Sequence, residues 1–134
     1  MQREGVKVLY SLPGLKVHAK MCLISRLEKD KIKNYAYLAT GNFNEITAKL
    51  YCDFGFLTSD ERLTKEVEKV FSYLEDSSSI SDKENEFKHL LVAQFNMRKV
   101  FTSLIENEIK NAKEGKTAYL ILKMNSLEDE RIIK

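Results

Sequence analysis

Short apolar runs separated by polar turns predict a strand-rich first half. The continuous apolar centre of residues 17–27 is typical of a strand buried on both faces. Pro13-Gly14 marks a turn before it. The predicted elements are strands over 6–10, 17–27, 35–39 and 51–57, a charged hairpin tip over 28–34, and a loop with a short helix over 42–50.

Residues 60–75 carry the clearest helical pattern of the first half. Their apolar side chains recur at helical spacing and form one stripe, and Ser59 or Asp60 is placed to cap the helix. The stripe consists of Leu63, Val67, Val70, Phe71 and Leu74. Residues 76–86 then lose all periodicity and are serine-rich and acidic, which predicts a linker or exposed loop.

The pattern restarts after this loop as strand, helix, strand. The predicted elements are a strand over 89–95, a helix over 97–114 that ends at Gly115, a strand over 117–124, and a helix that Ser126 caps. The fold class expected is therefore α/β with a mixed sheet of the α+β type. The predicted domains are 1–76, a linker at 77–88, and the start of a second similar domain at 89–134.

Composition adds limits to this picture. The chain has 134 residues, of which 43% are hydrophobic and 31% charged, as in soluble globular proteins. It contains neither an apolar run of the roughly 18 residues that span a bilayer nor a visible secretory signal. Cys22 and Cys52 are too few for a disulfide framework and are expected to be reduced and packed. A cytoplasmic location is the expectation.

Charge is unevenly distributed although the net charge is only +2. Within residues 1–26 the single acidic residue is Glu4, and the basic residues are Arg3, Lys7, Lys16, Lys20 and Arg26. Such an excess suits an anionic substrate. It is too small to indicate nucleic acid, and no basic stripe rich in aromatic residues supports that partner.

His18 and Lys20 are the first candidates for chemistry. Residues two apart on a strand point to the same face, so their side chains are expected to share one space. A neutral imidazole is a good nucleophile towards phosphorus, and lysine neutralises phosphoryl oxygens, which indicates phosphoryl transfer. The simpler interpretation is a partly buried histidine beside a solvated lysine.

A second motif follows, Thr40-Gly41-Asn42-Phe43-Asn44-Glu45. Gly41 would let the backbone approach an anion, and the amides of Asn42 and Asn44 would donate to phosphate. The alternative is an asparagine-rich turn that caps the helix after it.

The order His-x-Lys and then Gly-Asn-x-Asn resembles a half-site of the phospholipase D superfamily. The run from Val6 to Tyr51 resembles bacterial polyphosphate kinases of the long, multidomain type, which contain two phospholipase D-like domains. Further similarity lies in residues 71–74, 90–98 and 122–127.

This resemblance implies reversible transfer of the terminal phosphoryl group of ATP to polyphosphate, with His18 as the residue that becomes phosphorylated. It implies that Lys20 holds a phosphoryl oxygen and that Tyr51 contacts ATP. It also implies Mg²⁺, with ligands outside this chain, and a homo-oligomeric parent enzyme.

Two other functions stay open. A phospholipase D-type phosphodiesterase or nuclease would normally carry an acid where this chain has Ser25, and a second His-x-Lys. A non-catalytic fragment that folds or oligomerises is the third hypothesis, because the sequence lacks a complete set of helices and the partner catalytic groups.

Overall fold

The computed structural model describes residues 2–10, 12–80 and 86–134. The chain divides into two units, residues 1–81 and residues 82–134. The described residues form a mixed α/β fold, as the sequence predicts. None of their helices is long and apolar enough to cross a membrane.

The first unit is built on a three-stranded antiparallel sheet. Its strands are β1 (Lys20–Glu28), β2 (Lys31–Ala39) and β3 (Gly55–Thr58), in the order β1-β2-β3. Lys20 pairs with Ala39, which in turn pairs with Gly55. The register therefore brings the start of β1, the end of β2 and the start of β3 to one end of the sheet.

A two-residue turn joins β1 to β2. Glu28 pairs with Lys31, and the intervening Lys29 and Asp30 have φ angles of 48° and 64°. Two successive left-handed residues make a type I′ turn, whose twist matches that of the strands. The predicted charged tip over 28–34 is therefore too long, because residues 31–34 continue the ladder.

Helix α1 (Glu61–Glu75) packs against β2 and β1. The Asp60 carboxylate caps it by accepting a hydrogen bond from the backbone N–H of Arg62 at 2.9 Å. Val67 is fully buried and Val70 is buried, as the predicted stripe requires. Each such side chain contributes roughly 1.5–3 kcal/mol of hydrophobic stabilisation. Phe71, which belongs to the same stripe, is 40% exposed.

The remaining predictions for the first unit need correction. Residues 6–10 form no strand, the predicted strand over 51–57 begins only at Gly55, and the strand expected from 17 begins at Lys20. The short helix within 42–50 is a single 3₁₀ turn, Thr47–Lys49. Cys52 is exposed rather than packed, and it and the half-buried Cys22 are free thiols.

The second unit is mostly helical where the structure describes it. A π-helical turn, Ala93–Met97, leads into α2 (Arg98–Lys113), and α3 (Glu130–Ile133) follows with Asp129 as its cap, not Ser126. Gly115 has φ 73° and ends α2 as predicted. Its N–H donates to the Ala112 carbonyl at 3.0 Å and the next N–H to Asn111 at 2.9 Å, which is a Schellman motif.

Neither strand predicted for this unit is present among its described residues. Residues 89–95 instead enter the π-helical turn, which the buried Asn96 side chain holds. Its Oδ1 accepts from Val92 N–H at 2.8 Å, and its Nδ2 donates to the carbonyls of Phe87 and Leu90. Residues 117–124 are not assigned to a strand, and no described strand lies beside them to satisfy their backbone by a ladder.

Candidate functional site

The His18 and Lys20 side chains meet at the end of the sheet. Lys20 Nζ lies 2.8 Å from His18 Nε2 and 3.0 Å from the His18 carbonyl oxygen. An ammonium group has only hydrogens to offer, so Nζ donates and Nε2 accepts through its lone pair. The ring proton of a neutral His18 is then on Nδ1, and Nε2 is the basic, nucleophilic nitrogen.

The two side chains are close together as expected, but not because they alternate along one strand. His18 is not in β1 but two residues before its first residue, and its side chain is exposed. The contact with Lys20 fixes the imidazole at the edge of the sheet, where a substrate has access to it.

Thr40 anchors the glycine-asparagine motif at the same end. Its backbone N–H donates to the Phe54 carbonyl at 3.0 Å, and its hydroxyl accepts from Phe54 N–H at 2.9 Å. The same hydroxyl donates to Asp53 Oδ1 at 3.1 Å. Three hydrogen bonds thus hold the beginning of the 40–44 turn beside the segment that enters β3.

Gly41 lies directly against Asp53. A Cβ atom at Gly41 would come within 2.5 Å of the Asp53 Cγ and 2.9 Å of its Cβ, far inside normal contact distance. The space that glycine leaves is thus used by a carboxylate in this structure. The approach of an anion to Gly41 stays a prediction. The sequence motif gave no indication of Asp53, because the contact spans twelve positions.

Asn44 caps the turn that follows it. Its Oδ1 accepts from the N–H groups of Ile46 and Thr47, each at 3.0 Å. The capping role that the sequence left as an alternative is therefore present, and it uses Oδ1 and not Nδ2. Asn42 is exposed, and its side chain makes no hydrogen bond to another described residue.

Phe43 connects this loop to the sheet. Its ring packs against Tyr37 with centroids 5.8 Å apart, although 67% of Phe43 is exposed. Tyr37 in turn lies over Gly55, where an added Cβ would be 2.8 Å from Tyr37 Cε2. Neither aromatic residue was a candidate from the sequence, since a lone phenylalanine between two asparagines carries no distinctive signal.

Tyr51 lies in the segment between the 3₁₀ turn and β3, not at the start of a strand. It is 56% exposed, and its N–H donates to the Thr47 carbonyl at 3.1 Å. No hydrogen bond or ring contact joins Tyr51 to His18. Its role in binding ATP stays a prediction.

Comparison with known proteins identifies two consecutive family matches. Residues 1–80 match the family described as polyphosphate kinase C-terminal domain 1, and residues 90–134 match polyphosphate kinase C-terminal domain 2. Together these matches cover nearly the whole chain.

Individual relatives agree with both matches. The polyphosphate kinase of Vibrio parahaemolyticus is 46% identical over 133 residues, which are 99% of this chain and 18% of the relative. That of Escherichia coli K12 is 42% identical over 99% of this chain and 19% of its own length. The crystal structure of polyphosphate kinase from Porphyromonas gingivalis superimposes with a TM-score of 0.79 at 40% identity, over 98% of this chain and 22% of that one. The chain spans about a fifth of the length of the curated relatives it matches.

Proposed function

This chain belongs to the polyphosphate kinase family, and from this premise we propose that it supplies the phosphoryl-accepting histidine of an enzyme that lengthens polyphosphate at the expense of ATP. The observation that carries the proposal is the 2.8 Å contact between His18 Nε2 and Lys20 Nζ. It joins the nucleophile and the cation that phosphoryl transfer requires at an accessible edge of the sheet.

The proposed reaction has two displacements at phosphorus. In the first, the Nε2 lone pair of His18 attacks the γ-phosphorus of ATP, an N–P bond forms, and the bond to the β-phosphate oxygen breaks as ADP leaves. In the second, a terminal oxygen of polyphosphate attacks the same phosphorus and the N–P bond breaks. The product is one unit longer, and the reverse sequence makes ATP.

Lys20 changes partner during this cycle. Its ammonium holds the Nε2 lone pair in the structure, so it must leave that lone pair before His18 can attack. A nearby phosphoryl oxygen is the natural new acceptor, because two opposite charges about 4 Å apart attract by about 4 kcal/mol at a partly solvated site. Lys20 therefore acts first as an orienting group and then as the neutralising one.

Other groups at this end of the sheet have supporting roles in the proposal. Asn42 and the Nδ2 of Asn44 donate hydrogen bonds to phosphate without adding charge. Tyr51 contacts the nucleotide.

Mg²⁺ would neutralise the charge of the transferred group. The described residues contain no group of three histidine, cysteine or acidic side chains that could hold a metal ion. In the proposal, the ligands come from other parts of a longer, homo-oligomeric enzyme, as the family resemblance implies.

The phosphodiesterase alternative finds less support. Ser25 stands where the phospholipase D pattern has an acid, and its hydroxyl donates to Asn34 Oδ1 at 2.7 Å on the neighbouring strand. Alternation along β1 places Ser25 and Lys20 on opposite faces of the sheet. Ser25 is uncharged, is hydrogen-bonded to the neighbouring strand and lies on the face opposite Lys20, so it cannot replace that acid.

A chimaera of the Escherichia coli relative, with this chain in place of the matching region, tests the proposal. Incubation with ATP labelled on the γ-phosphate and Mg²⁺ should give acid-labile, alkali-stable label on protein. His18→Gln should abolish the label, and His89→Gln, the matched change at the other histidine, should keep it. Label that persists in a folded His18→Gln chimaera would show that another residue accepts the phosphoryl group.

A further inference from the structure

All charged side chains of the sheet lie on one face. Side chains alternate along a strand, and directly paired residues of antiparallel strands share a face. The register therefore groups the charged residues of β1 with those of β2. This charged face comprises Lys20, Arg26, Glu28, Lys31 and Lys33. The other face has no charged residue and contains the buried Ala36. Because α1 contacts both β1 and β2, the burial of Ala36 indicates that α1 covers this face.

The cations of the charged face outnumber its carboxylates. Arg26 pairs directly across the ladder with Lys33, and like charges in that position destabilise a sheet. Glu28 offsets only part of this charge. Its Oε1 lies 3.7 Å from Arg26 Nε and also accepts a hydrogen bond from the Tyr35 hydroxyl at 2.9 Å. The Arg26 side chain is 66% exposed, so it has access to a ligand.

The cations at the two ends of the charged face are far apart. Lys20, which contacts His18, is six residues from Arg26, or about 20 Å along an extended chain. Tyr35 and Tyr37 lie between them on the same face, and Lys33 Nζ is 5.3 Å from the Tyr35 ring centroid. Cations at both ends of a span without carboxylates in its middle favour a long, linear anion over a compact one.

We propose that the charged face is an extended binding site for inorganic polyphosphate, with its reacting end at His18 and more distant phosphates at Arg26 and Lys33. This inference rests on the proposed function for the identity of the anion. It adds that the chain recognises the length of polyphosphate through residues far from the reacting nitrogen.

Binding measurements on this chain test the site. Long-chain polyphosphate and inorganic tripolyphosphate, which is too short to reach from Lys20 to Arg26, are titrated separately. The double change Arg26→Gln and Lys33→Gln should weaken binding of the long chain about 5- to 30-fold, as expected for the loss of two exposed charge contacts. It should leave tripolyphosphate binding unchanged and make the salt dependence for the long chain shallower.

Two further variants make the result specific. Lys99→Gln with Lys113→Gln removes the same charge from α2 and should leave both affinities unchanged, whereas Arg26→Lys with Lys33→Arg keeps the charge and should retain long-chain binding. Circular dichroism checks that each variant is folded.

Three outcomes would overturn the inference: equal losses for long and short polyphosphate, an equal loss in the α2 control, or no loss at all. Equal binding of a single-stranded oligonucleotide of matching charge would also overturn it, because the face would then recognise charge alone. Failure of His18 to accept label would reject the phosphohistidine proposal while leaving the length dependence of binding intact, so the two proposals fail separately.

Discussion

The Asp53 carboxylate lies against Gly41, in the position that a Cβ atom of residue 41 would need. Asp53 is also the acceptor of the Thr40 hydroxyl at 3.1 Å. One carboxylate thus fixes two neighbouring residues of the turn that carries Asn42. The position of this turn relative to His18 depends on a contact formed by a residue with no proposed chemical role.

Gly41→Ala should therefore destabilise the first unit by about 1–3 kcal/mol, the usual cost of forcing extra atoms into a packed site. Urea unfolding followed by circular dichroism measures the change. Adding Asp53→Ala should recover part of the loss, because it removes the closest clashing atoms. Additive losses in the double variant would show that the two residues do not compete for space.

Lys20→Met should slow phosphoryl transfer to His18 in the chimaera by about 10²–10³-fold, as for the loss of one preorganised charge-stabilising group. The readout is the single-turnover rate of labelling. Lys16→Met, a change of the same kind at an exposed lysine nearby, should have little effect. Equal rates in the Lys20 variant and the unaltered chimaera would remove Lys20 from the reaction.

The isolated 134-residue chain should show no steady-state synthesis of polyphosphate from ATP and Mg²⁺. Positioning of the nucleotide and charge neutralisation supply most of the catalysis of phosphoryl transfer, and the chain spans only about a fifth of its relatives' length. Turnover of roughly 1–100 per second, typical of kinases, would show that residues 1–134 contain all the required groups.

Acid should weaken the second unit through Asp129. Arg98 donates hydrogen bonds to its carboxylate at 2.7 and 2.9 Å, and these bonds hold the pKa of Asp129 below its usual value of 3.8. A lowered folded-state pKa contributes stability above the unfolded-state value, and that stability is lost as the pH falls through the folded-state pKa.

Asp129→Asn should consequently flatten the pH dependence of unfolding below about pH 4, measured by thermal melts at a series of pH values. Glu128→Gln is the matched control on the neighbouring residue and should keep the dependence of the unaltered chain. A steep acid transition that survives in Asp129→Asn would assign it to other carboxylates.

The sequence predicted helices better than strands, for a physical reason. Helix α1, its Asp60 cap and the Gly115 ending of α2 follow from local spacing, because a helix satisfies its backbone within itself. Residues 117–124 have an equally clear apolar pattern, yet Ile121 is 82% exposed and no described strand pairs with the segment. Whether such a segment becomes a strand depends on a neighbour that its own residues do not specify.

In the candidate site, too, contacts between residues close in sequence were easier to predict than contacts between distant ones. The proximity of His18 and Lys20 was expected from residues two apart on one strand, although His18 precedes the strand and the contact is made outside it. The capping by Asn44 was one of two interpretations that local chemistry allowed. The roles of Asp53 and Tyr37 were not predictable, because they arise from the register that brings β2 and β3 together.

The two-residue turn at Lys29 and Asp30 limits how this protein can change in length. A turn of only two residues cannot absorb an extra residue. One residue inserted between Lys31 and Ala36 must therefore form a bulge or move every later residue of β2 to the opposite face. Reversal would turn Ala36 outward and place Tyr35 or Tyr37 under α1. Insertions and deletions that preserve the fold are therefore expected in steps of two residues, because each step of two keeps every later side chain on its original face.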